Sequence, residues 1–359
     1  MKQHKGMLAV FVIGALMIPL LPLSSFHIRM IIQIYLYTML AMSLNLITGF
    51  AGQLSLGHAA FYGIGAYTSA LLSLHAGWPF PATLVAAGLM AALASLVIGI
   101  PALKLTGAYL AIVTLGFNEI VRMGALNWVG LTRGPMGLPG IPAPNLVLIT
   151  IQTPRGFYYL ILVMLLATGA VLYRLLHSTT GRAFVAIRED AVAAEAMGIH
   201  LLRYKTIAFA ILALIAGMAG SFYAHYASFI DPQGFSFQES IQILSMVVLG
   251  GLGSFFGPLA GAALLVSVPE LLRGAQDYRM ILHGLVLVII MLARPQGLLG
   301  GMDSSWLGRT SKKMREAMAV FIHMDRKHNN SADKHVTTRT AEAVSPVSRK
   351  EVPHVSLGD

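Results

Sequence analysis

The sequence has no cysteine and few charged side chains. Without cysteine, the chain contains no disulfide and no thiolate metal site. Only 11% of its 359 residues are charged, whereas 56% are hydrophobic and 36 are glycine. The apolar fraction is therefore about two thirds, against roughly 45–50% in soluble domains. This composition excludes an ordinary water-soluble globule.

Sequence motifs of common enzyme sites are missing as well. The chain contains no Gly-x-x-x-x-Gly-Lys-Ser/Thr phosphate loop, so it does not hydrolyse ATP by that machinery. It also lacks His-Glu-x-x-His and Gly-x-Ser-x-Gly, and its polar residues are scattered singly. We therefore expect no enzyme activity, no metal site and no cofactor. Any energy source lies in another subunit, or there is none.

The net charge of +10 would suggest nucleic-acid binding in a soluble protein. No zinc-finger pattern, aromatic RNA-binding motif or basic stripe accompanies it. The charges divide the chain instead: residues 1–293 hold 14 basic and 8 acidic residues, and residues 294–359 hold 11 and 7. In a membrane protein, such basic residues orient the chain.

Long apolar runs predict an all-α, polytopic transmembrane bundle of about 8–10 spans, because a crossing helix needs about 20 apolar residues. The predicted runs are 7–25, 30–49, 53–75, 82–103, 107–128, 157–177, 206–229, 238–250, 256–272 and 279–293. The first run is interpreted as a retained helix rather than a cleaved signal peptide. The run 238–250 is short for a crossing and is alternatively half of a re-entrant hairpin.

Basic residues in short loops predict the orientation. Lys2, Lys5, Lys104 and the five bases between Arg174 and Lys205 are then cytoplasmic, together with both termini. A transmembrane domain thus covers residues 1–300, with a cytoplasmic loop at 178–205 and a Pro- and Gly-rich outer loop at 130–156. Residues 301–359 form a charged cytoplasmic tail that is expected to be partly disordered.

Three polar groups interrupt the apolar runs between Gly52 and His58. Gln53, Ser55 and His58 lie near membrane depth, where unsatisfied hydrogen-bonding groups are costly. They are interpreted as lining a translocation path or, alternatively, as a packed helix break.

The run 107–128 carries two further polar residues that are predicted to lie along the same path, Asn118 and Glu119. Glu119 is spaced three residues from Arg122, so the two form a self-satisfied pair on one helix face or serve a path or subunit interface.

Small residues at four-residue spacing predict close helix contacts. Gly253, Gly257 and Gly261 form two such steps. Residues 49–52 (GFAG) also resemble residues 250–253 (GGLG). The likeness is interpreted as that of a transporter with inverted repeats and interrupted helices or, alternatively, as chance, since glycine is common in membrane helices.

The cytoplasmic loop contains a predicted amphipathic helix that begins at Thr179 or Thr180 and stops at Gly198. Its apolar stripe recurs every three or four residues and comprises Phe184, Ile187, Ala191, Ala194 and Met197. The stripe is mostly alanine, and acidic residues are mixed with the bases. This favours docking on another protein over the alternative of lying on the lipid surface.

Three segments resemble the branched-chain amino acid permease family of bacterial ABC importers, and within it the longer, M-type subunit. They are residues 43–67 (SLNLITGFAGQLSLGHAAFYGIGAY), 181–190 (GRAFVAIRED) and 248–261 (VLGGLGSFFGPLAG). The resemblance implies an inner-membrane permease of vitamin B12-importer-like architecture, paired with a second permease. It further implies two cytoplasmic ATPase subunits and a periplasmic binding protein.

The resemblance also implies that residues 181–198 are the loop that couples ATP hydrolysis to transport. Residues 195–198 resemble the family's Glu-Ala-Ala…Gly pattern, with Met197 as a departure. The implied coupling residues are Gly181, Arg182, Phe184, Ile187, Arg188, Glu189, Asp190, Glu195 and Gly198. The implied substrate is a branched-chain or related amino acid. The competing hypothesis is a self-sufficient carrier or channel for a small polar solute such as urea or an amide.

Overall fold

The computed structural model describes residues 24–146, 150–271, 284 and 297–299. These belong to the compact unit Met1–Asp303, and the second unit, Ser304–Asp359, lies outside the described residues. The tail lies outside them, as do the predicted first span apart from residues 24 and 25 and the last predicted span apart from Gly284.

The described part of the chain is almost entirely helical. Its helices are α1 Ser25–Asn45, α2 His58–Ala76, α3 Phe80–Ala102, α4 Ala108–Asn127, α5 Val129–Thr132, α6 Pro154–Leu176, α7 Thr179–Glu189, α8 Ala191–Ala196, α9 Leu201–Ala227, α10 Phe237–Gly250 and α11 Gly257–Leu271. A π-helical turn, Leu46–Phe50, extends α1. Two-residue strands, β1 Leu138–Pro139 and β2 Phe229–Ile230, pair antiparallel. The predicted all-α bundle is confirmed.

Five of these helical segments are long and apolar enough to cross a membrane. They are Ser25–Phe50, Phe80–Gly99, Ala108–Asn127, Pro154–Leu176 and Leu201–Ala227. Helices α10 and α11 are apolar but shorter. The predicted run 53–75 begins later, at His58, because Gly52 has a φ of +68° and residues 51–57 are not helical.

Helix α9 lies at the centre of the bundle and packs on α1, α2 and α3. Glycine makes the contact with α2 close. A Cβ atom on Gly65 would clash with the Gly217 backbone, and one on Gly220 would clash with the Tyr62 carbonyl oxygen. This is the small-residue packing on which membrane helices depend, since lipid supplies no hydrophobic drive between helices.

Helices α3 and α4 carry part of the apolar outer surface of the bundle. Val97 of α3 is 75% exposed and Ile120 of α4 is 69% exposed. An apolar surface of this kind is suited to lipid or to another membrane subunit.

Two helices begin inside the bundle rather than at its edge. Irregular residues 51–57 precede α2, and residues 228–236, which include a short 3-10 turn, precede α10. The Ala59 amide of α2 donates to the Ser240 hydroxyl of α10 over 2.9 Å. The amino ends of two discontinuous helices thus meet in the interior.

Candidate functional site

The segment 178–198 is two helices, so the prediction of one continuous helix is wrong. The Ser178 hydroxyl caps α7 by accepting from the Gly181 amide. At Asp190 the backbone becomes extended, and the Asp190 carboxylate caps α8 by accepting from the Val192 and Ala193 amides at 2.9 and 3.0 Å. The chain breaks there because the Asp190 side chain competes with the helical backbone pattern. Gly198, with a φ of +85°, follows α8.

Most of the predicted apolar stripe packs on the chain itself, which the docking prediction did not anticipate, whereas its last residue, Met197, is exposed. Phe184, Ile187 and Ala194 are buried, and the Phe184 ring meets Tyr204 of α9 edge-on at 6.4 Å. Helix α7 also packs on α6 and on the π-helical turn.

The surface that remains open on this segment is mixed in character. Val192 is 79% exposed and Met197 is 83% exposed. The exposed members of the predicted coupling set are Arg182, Glu189, Asp190, Glu195 and Gly198. Val192 was missed from the sequence because it lies off the stripe.

Arg188 connects α7 with both glycine-rich breaks. Its Nη1 donates to the Gly49 carbonyl oxygen over 2.8 Å, and its Nη2 pairs with Glu189 at 2.7 Å. The Arg188 side chain also fills the space beside two glycines: a Cβ on Gly52 would lie 2.8 Å from Arg188 Cγ, and one on Gly253 would lie 2.9 Å from Nη1.

Asn45 joins the same two breaks. Its Nδ2 donates to the Ser254 carbonyl oxygen over 2.8 Å, and its Oδ1 accepts from the Gly253 amide over 2.9 Å. The segments 49–52 and 250–253, which resemble each other in sequence, therefore lie in contact, with Arg188 at their meeting point. We call this arrangement of Asn45, Arg188 and the two breaks the glycine junction. Asn45 was missed from the sequence, although an amide within an apolar run was the available signal.

Four of the five predicted path residues, Gln53, Ser55, His58 and Asn118, have buried polar atoms, and we call these four residues the polar track. His58 is fully buried, and its Nε2 lies 3.3 Å from the Ser43 hydroxyl. Within the described part of the chain, Gln53 Oε1, Ser55 Oγ, His58 Nδ1 and Asn118 Oδ1 are buried without a hydrogen-bond partner. Each such atom costs about 1–3 kcal/mol.

The amide of Asn118 ties this track to the second discontinuous helix. Its Nδ2 donates to the Phe235 carbonyl oxygen, just before α10, over 3.4 Å.

Glu119 does not join the track. Its carboxylate accepts from Arg122 Nε at 3.0 Å and is also paired with Nη2 of the same side chain. The Glu119 side chain is 39% exposed. Of the two interpretations, the geometry is that of the self-satisfied pair.

The remaining predicted glycines lie where α10 turns into α11. A Cβ on Gly257 would lie 2.8 Å from the Gly250 carbonyl oxygen, and one on Gly261 would clash with the Met246 carbonyl oxygen. Gly253 belongs instead to the glycine junction and has a φ of +74°. Among the described residues, no group of three or more acidic or histidine side chains is placed to hold a metal ion.

Comparison with known proteins finds relatives that are described as permeases of transport systems. A family profile described as the permease component of branched-chain amino acid transport systems matches residues 26–292. The chain is 42% identical over 287 residues to the high-affinity branched-chain amino acid transport system permease protein LivM of Escherichia coli strain K12, covering 74% of this chain and 68% of the relative.

A more distant relative is the permease protein LivH of the same organism and transport class. It is 25% identical over 292 residues, covering 74% of this chain and 91% of the relative. The autoinducer 2 import system permease protein LsrC of Klebsiella pneumoniae is 28% identical over 187 residues, covering 47% of this chain and 52% of the relative. No solved structure matches the chain.

Proposed function

The chain belongs to the branched-chain amino acid transport permease family, and on that premise we propose that residues 178–198 drive amino acid passage with energy from partner ATPases. It is a multi-pass membrane permease subunit and not an enzyme. The proposed assembly contains a second homologous permease, two cytoplasmic ATPases and a periplasmic binding protein. Its proposed location is the bacterial inner membrane with both termini cytoplasmic.

The observation that carries the proposal is the Arg188 contact with the glycine junction. A guanidinium to carbonyl hydrogen bond is stronger than a neutral one, and this bond joins α7 directly to Gly49. Asn45, which precedes the π-helical turn that contains Gly49, hydrogen-bonds to residues 253–254. A displacement of α7 by a partner protein is thereby passed to both interrupted segments at once.

The partner's contact surface is proposed to be the open side of α7 and α8. Since Phe184 and Ile187 hold α7 to the bundle, they position the segment rather than touch the partner. Val192 and Met197 supply apolar contacts, and Arg182 and Glu195 supply charge. Gly181 permits close approach of α7 to the end of α6, where a Cβ would clash with the Leu176 carbonyl oxygen.

The polar track is proposed to be the closed translocation path. Gln53, Ser55 and His58 lie between the glycine junction and the amino end of α2, and Asn118 lies beside the approach to α10. Movement at the junction would give their unpartnered atoms access to water or substrate. Glu119 is left out of this path because it is paired and exposed.

Transport in proteoliposomes tests the proposed function. The complex of this chain with the second permease and the ATPases is reconstituted, and leucine uptake is measured with the binding protein added and ATP supplied on the ATPase side. We expect uptake that requires ATP hydrolysis and all the partners. Vesicles that hold this chain alone and accumulate solute in an ion gradient would contradict the proposal and support a self-sufficient carrier.

A further inference from the structure

A buried phenyl ring stands just before the second discontinuous helix. Phe235 is the last residue of the 3-10 turn that precedes α10, and its side chain is buried. Helix α2 has no side chain at the point of contact, since a Cβ on Gly63 would lie 2.9 Å from Phe235 Cγ. Three tyrosine rings meet the phenyl ring edge-on, with centroids 5.2, 5.9 and 6.2 Å away; they are Tyr62 and Tyr67 of α2 and Tyr223 of α9. We call these three rings the aromatic socket.

The aromatic socket lies far from the segment 178–198. Helix α9 begins next to that segment at Leu201, and Tyr223 follows 22 residues later. At about 1.5 Å per residue, Tyr223 is ~33 Å along the helix from its start. The polar track nevertheless reaches the socket, because Asn118 Nδ2 donates to the Phe235 carbonyl oxygen over 3.4 Å. Phe235 therefore stands at the end of the track that is remote from residues 178–198.

Polar atoms border the phenyl ring. In the part of the chain that the structure describes, the Tyr67 hydroxyl and Asn118 Oδ1 are buried without a hydrogen-bond partner. Tyr67 lies one turn beyond Gly63 on α2, and Asn118 lies on α4. Water enters a cavity only where polar partners are available. If the ring moved away, these two atoms would supply such partners.

Helix α10 connects Phe235 with the glycine junction. It covers Phe237–Gly250, so its last residue is the first of the segment 250–253, which belongs to the junction. Its 14 residues span ~21 Å. At the other end, the Asp231 carboxylate accepts from the Gly234 amide over 2.8 Å and holds the 3-10 turn together. A displacement of the junction is thereby passed along α10 to the turn that carries the ring.

We propose that Phe235 is a gate: its ring closes the polar track on the side away from residues 178–198, and movement of α10 withdraws it. This inference rests on the proposed function. An apolar constriction excludes water and so bars a polar solute. With the ring withdrawn, the Tyr67 hydroxyl and Asn118 Oδ1 are accessible to water and to the amino acid.

Access to the track from the gate side tests this proposal. The complex carries Ser55→Cys, which gives this cysteine-free chain one thiol at a buried track position. It is sealed into vesicles with the ATPases inside and no ATP, and a charged, membrane-impermeant thiol reagent is added outside. Adding Phe235→Ala is expected to speed labelling of the chain several-fold. Phe235→Leu, which keeps a larger apolar side chain, is expected to speed it less.

Two further variants separate gating from packing. Phe222→Ala also removes a buried phenyl ring, one that packs on Phe157 and Tyr226, and is expected to leave the labelling rate unchanged. If Phe235→Ala does not assemble, Asp231→Ala decides. It removes the hydrogen bond that holds the turn and leaves the aromatic socket intact, so labelling is again expected to be faster. An unchanged rate in the deciding variant overturns the gate.

Leucine uptake in the same vesicles keeps the two proposals apart. ATP is enclosed, the binding protein is added outside, and uptake by the wild-type complex is measured. If the wild type takes up leucine and the deciding variant labels no faster, the gate is overturned while the proposed function stands. A wild-type complex without ATP-dependent uptake overturns the proposed function and the gate with it.

Discussion

Replacing Arg188 by methionine is expected to separate ATP hydrolysis from transport. The change removes the 2.8 Å hydrogen bond to the Gly49 carbonyl oxygen and the ion pair with Glu189. It keeps an unbranched apolar stem beside Gly52, where the Arg188 Cβ and Cγ atoms now pack. The loss is therefore mainly that of the guanidinium and not of packing.

The size of the effect follows from the contact. A hydrogen bond to a charged group contributes about 1.5–3 kcal/mol, whereas the exposed pair with Glu189 contributes about 1 kcal/mol or less. Loss of the hydrogen bond to Gly49 lowers the equilibrium constant for contact between α7 and the glycine junction by roughly 10- to 150-fold. Arg188→Lys keeps a charged donor but loses the planar guanidinium group. Its ratio of leucine taken up to ATP hydrolysed is therefore expected to lie between those of the wild type and Arg188→Met.

The assay measures leucine taken up per ATP hydrolysed in proteoliposomes. Arg188→Met is expected to lower this ratio at least about tenfold while the complex assembles and hydrolyses ATP. Arg203→Met, the same change at an exposed arginine of α9, is the matched control and should leave the ratio unaltered. An unchanged ratio in Arg188→Met would refute the argument that Arg188 carries the motion.

Two stability predictions follow from the packing of the same bundle. Asn45→Leu removes the hydrogen bonds that Asn45 makes with the Ser254 carbonyl oxygen and the buried Gly253 amide. Thermal unfolding in detergent should then occur at a clearly lower temperature, at a cost of about 1–3 kcal/mol for the Gly253 amide that loses its acceptor. The exposed change Gln33→Leu should not shift the unfolding temperature, and equal unfolding temperatures of the two variants would contradict the role of Asn45. Gly220→Val places a side chain against the Tyr62 backbone and should lower the yield of folded protein. Gly130→Val, at a glycine with open space around it, should not lower the yield. A normal yield from Gly220→Val would contradict the close contact between α2 and α9.

The helices of this protein were predictable because composition alone marks them. A run of about 20 apolar residues has few alternatives in lipid, so the runs near 30–49, 82–103, 107–128, 157–177 and 206–229 correspond to helices of the structure. The segment 53–75 was predicted too long at its start, because Gly52 and its neighbours interrupt the backbone before His58.

The coupling segment shows where sequence patterning stops. Its periodicity identified an amphipathic element. A periodic apolar stripe does not show, however, whether it packs on the same chain or on another protein. Phe184 and Ile187 turned out to pack inside the chain. The break at Asp190 depends on a side chain capping the next helix, which competes with continued helix at the same residue.

The glycine junction depends on tertiary contacts that a linear pattern does not contain. The similarity of 49–52 to 250–253 suggested related segments, but only the fold brings them together through Asn45 and Arg188.

The central claim, that ATP-driven movement of residues 178–198 opens the polar track through Arg188, is tested most directly at Ser55. The chain has no native cysteine, so Ser55→Cys introduces a single thiol at a buried track position. Its rate of reaction with a charged, water-soluble thiol reagent is measured in the reconstituted complex with and without ATP and binding protein. The account predicts faster labelling during ATP hydrolysis, and no acceleration when Arg188→Met is added. Equal rates with and without ATP, or equal acceleration in the Arg188→Met background, would contradict it.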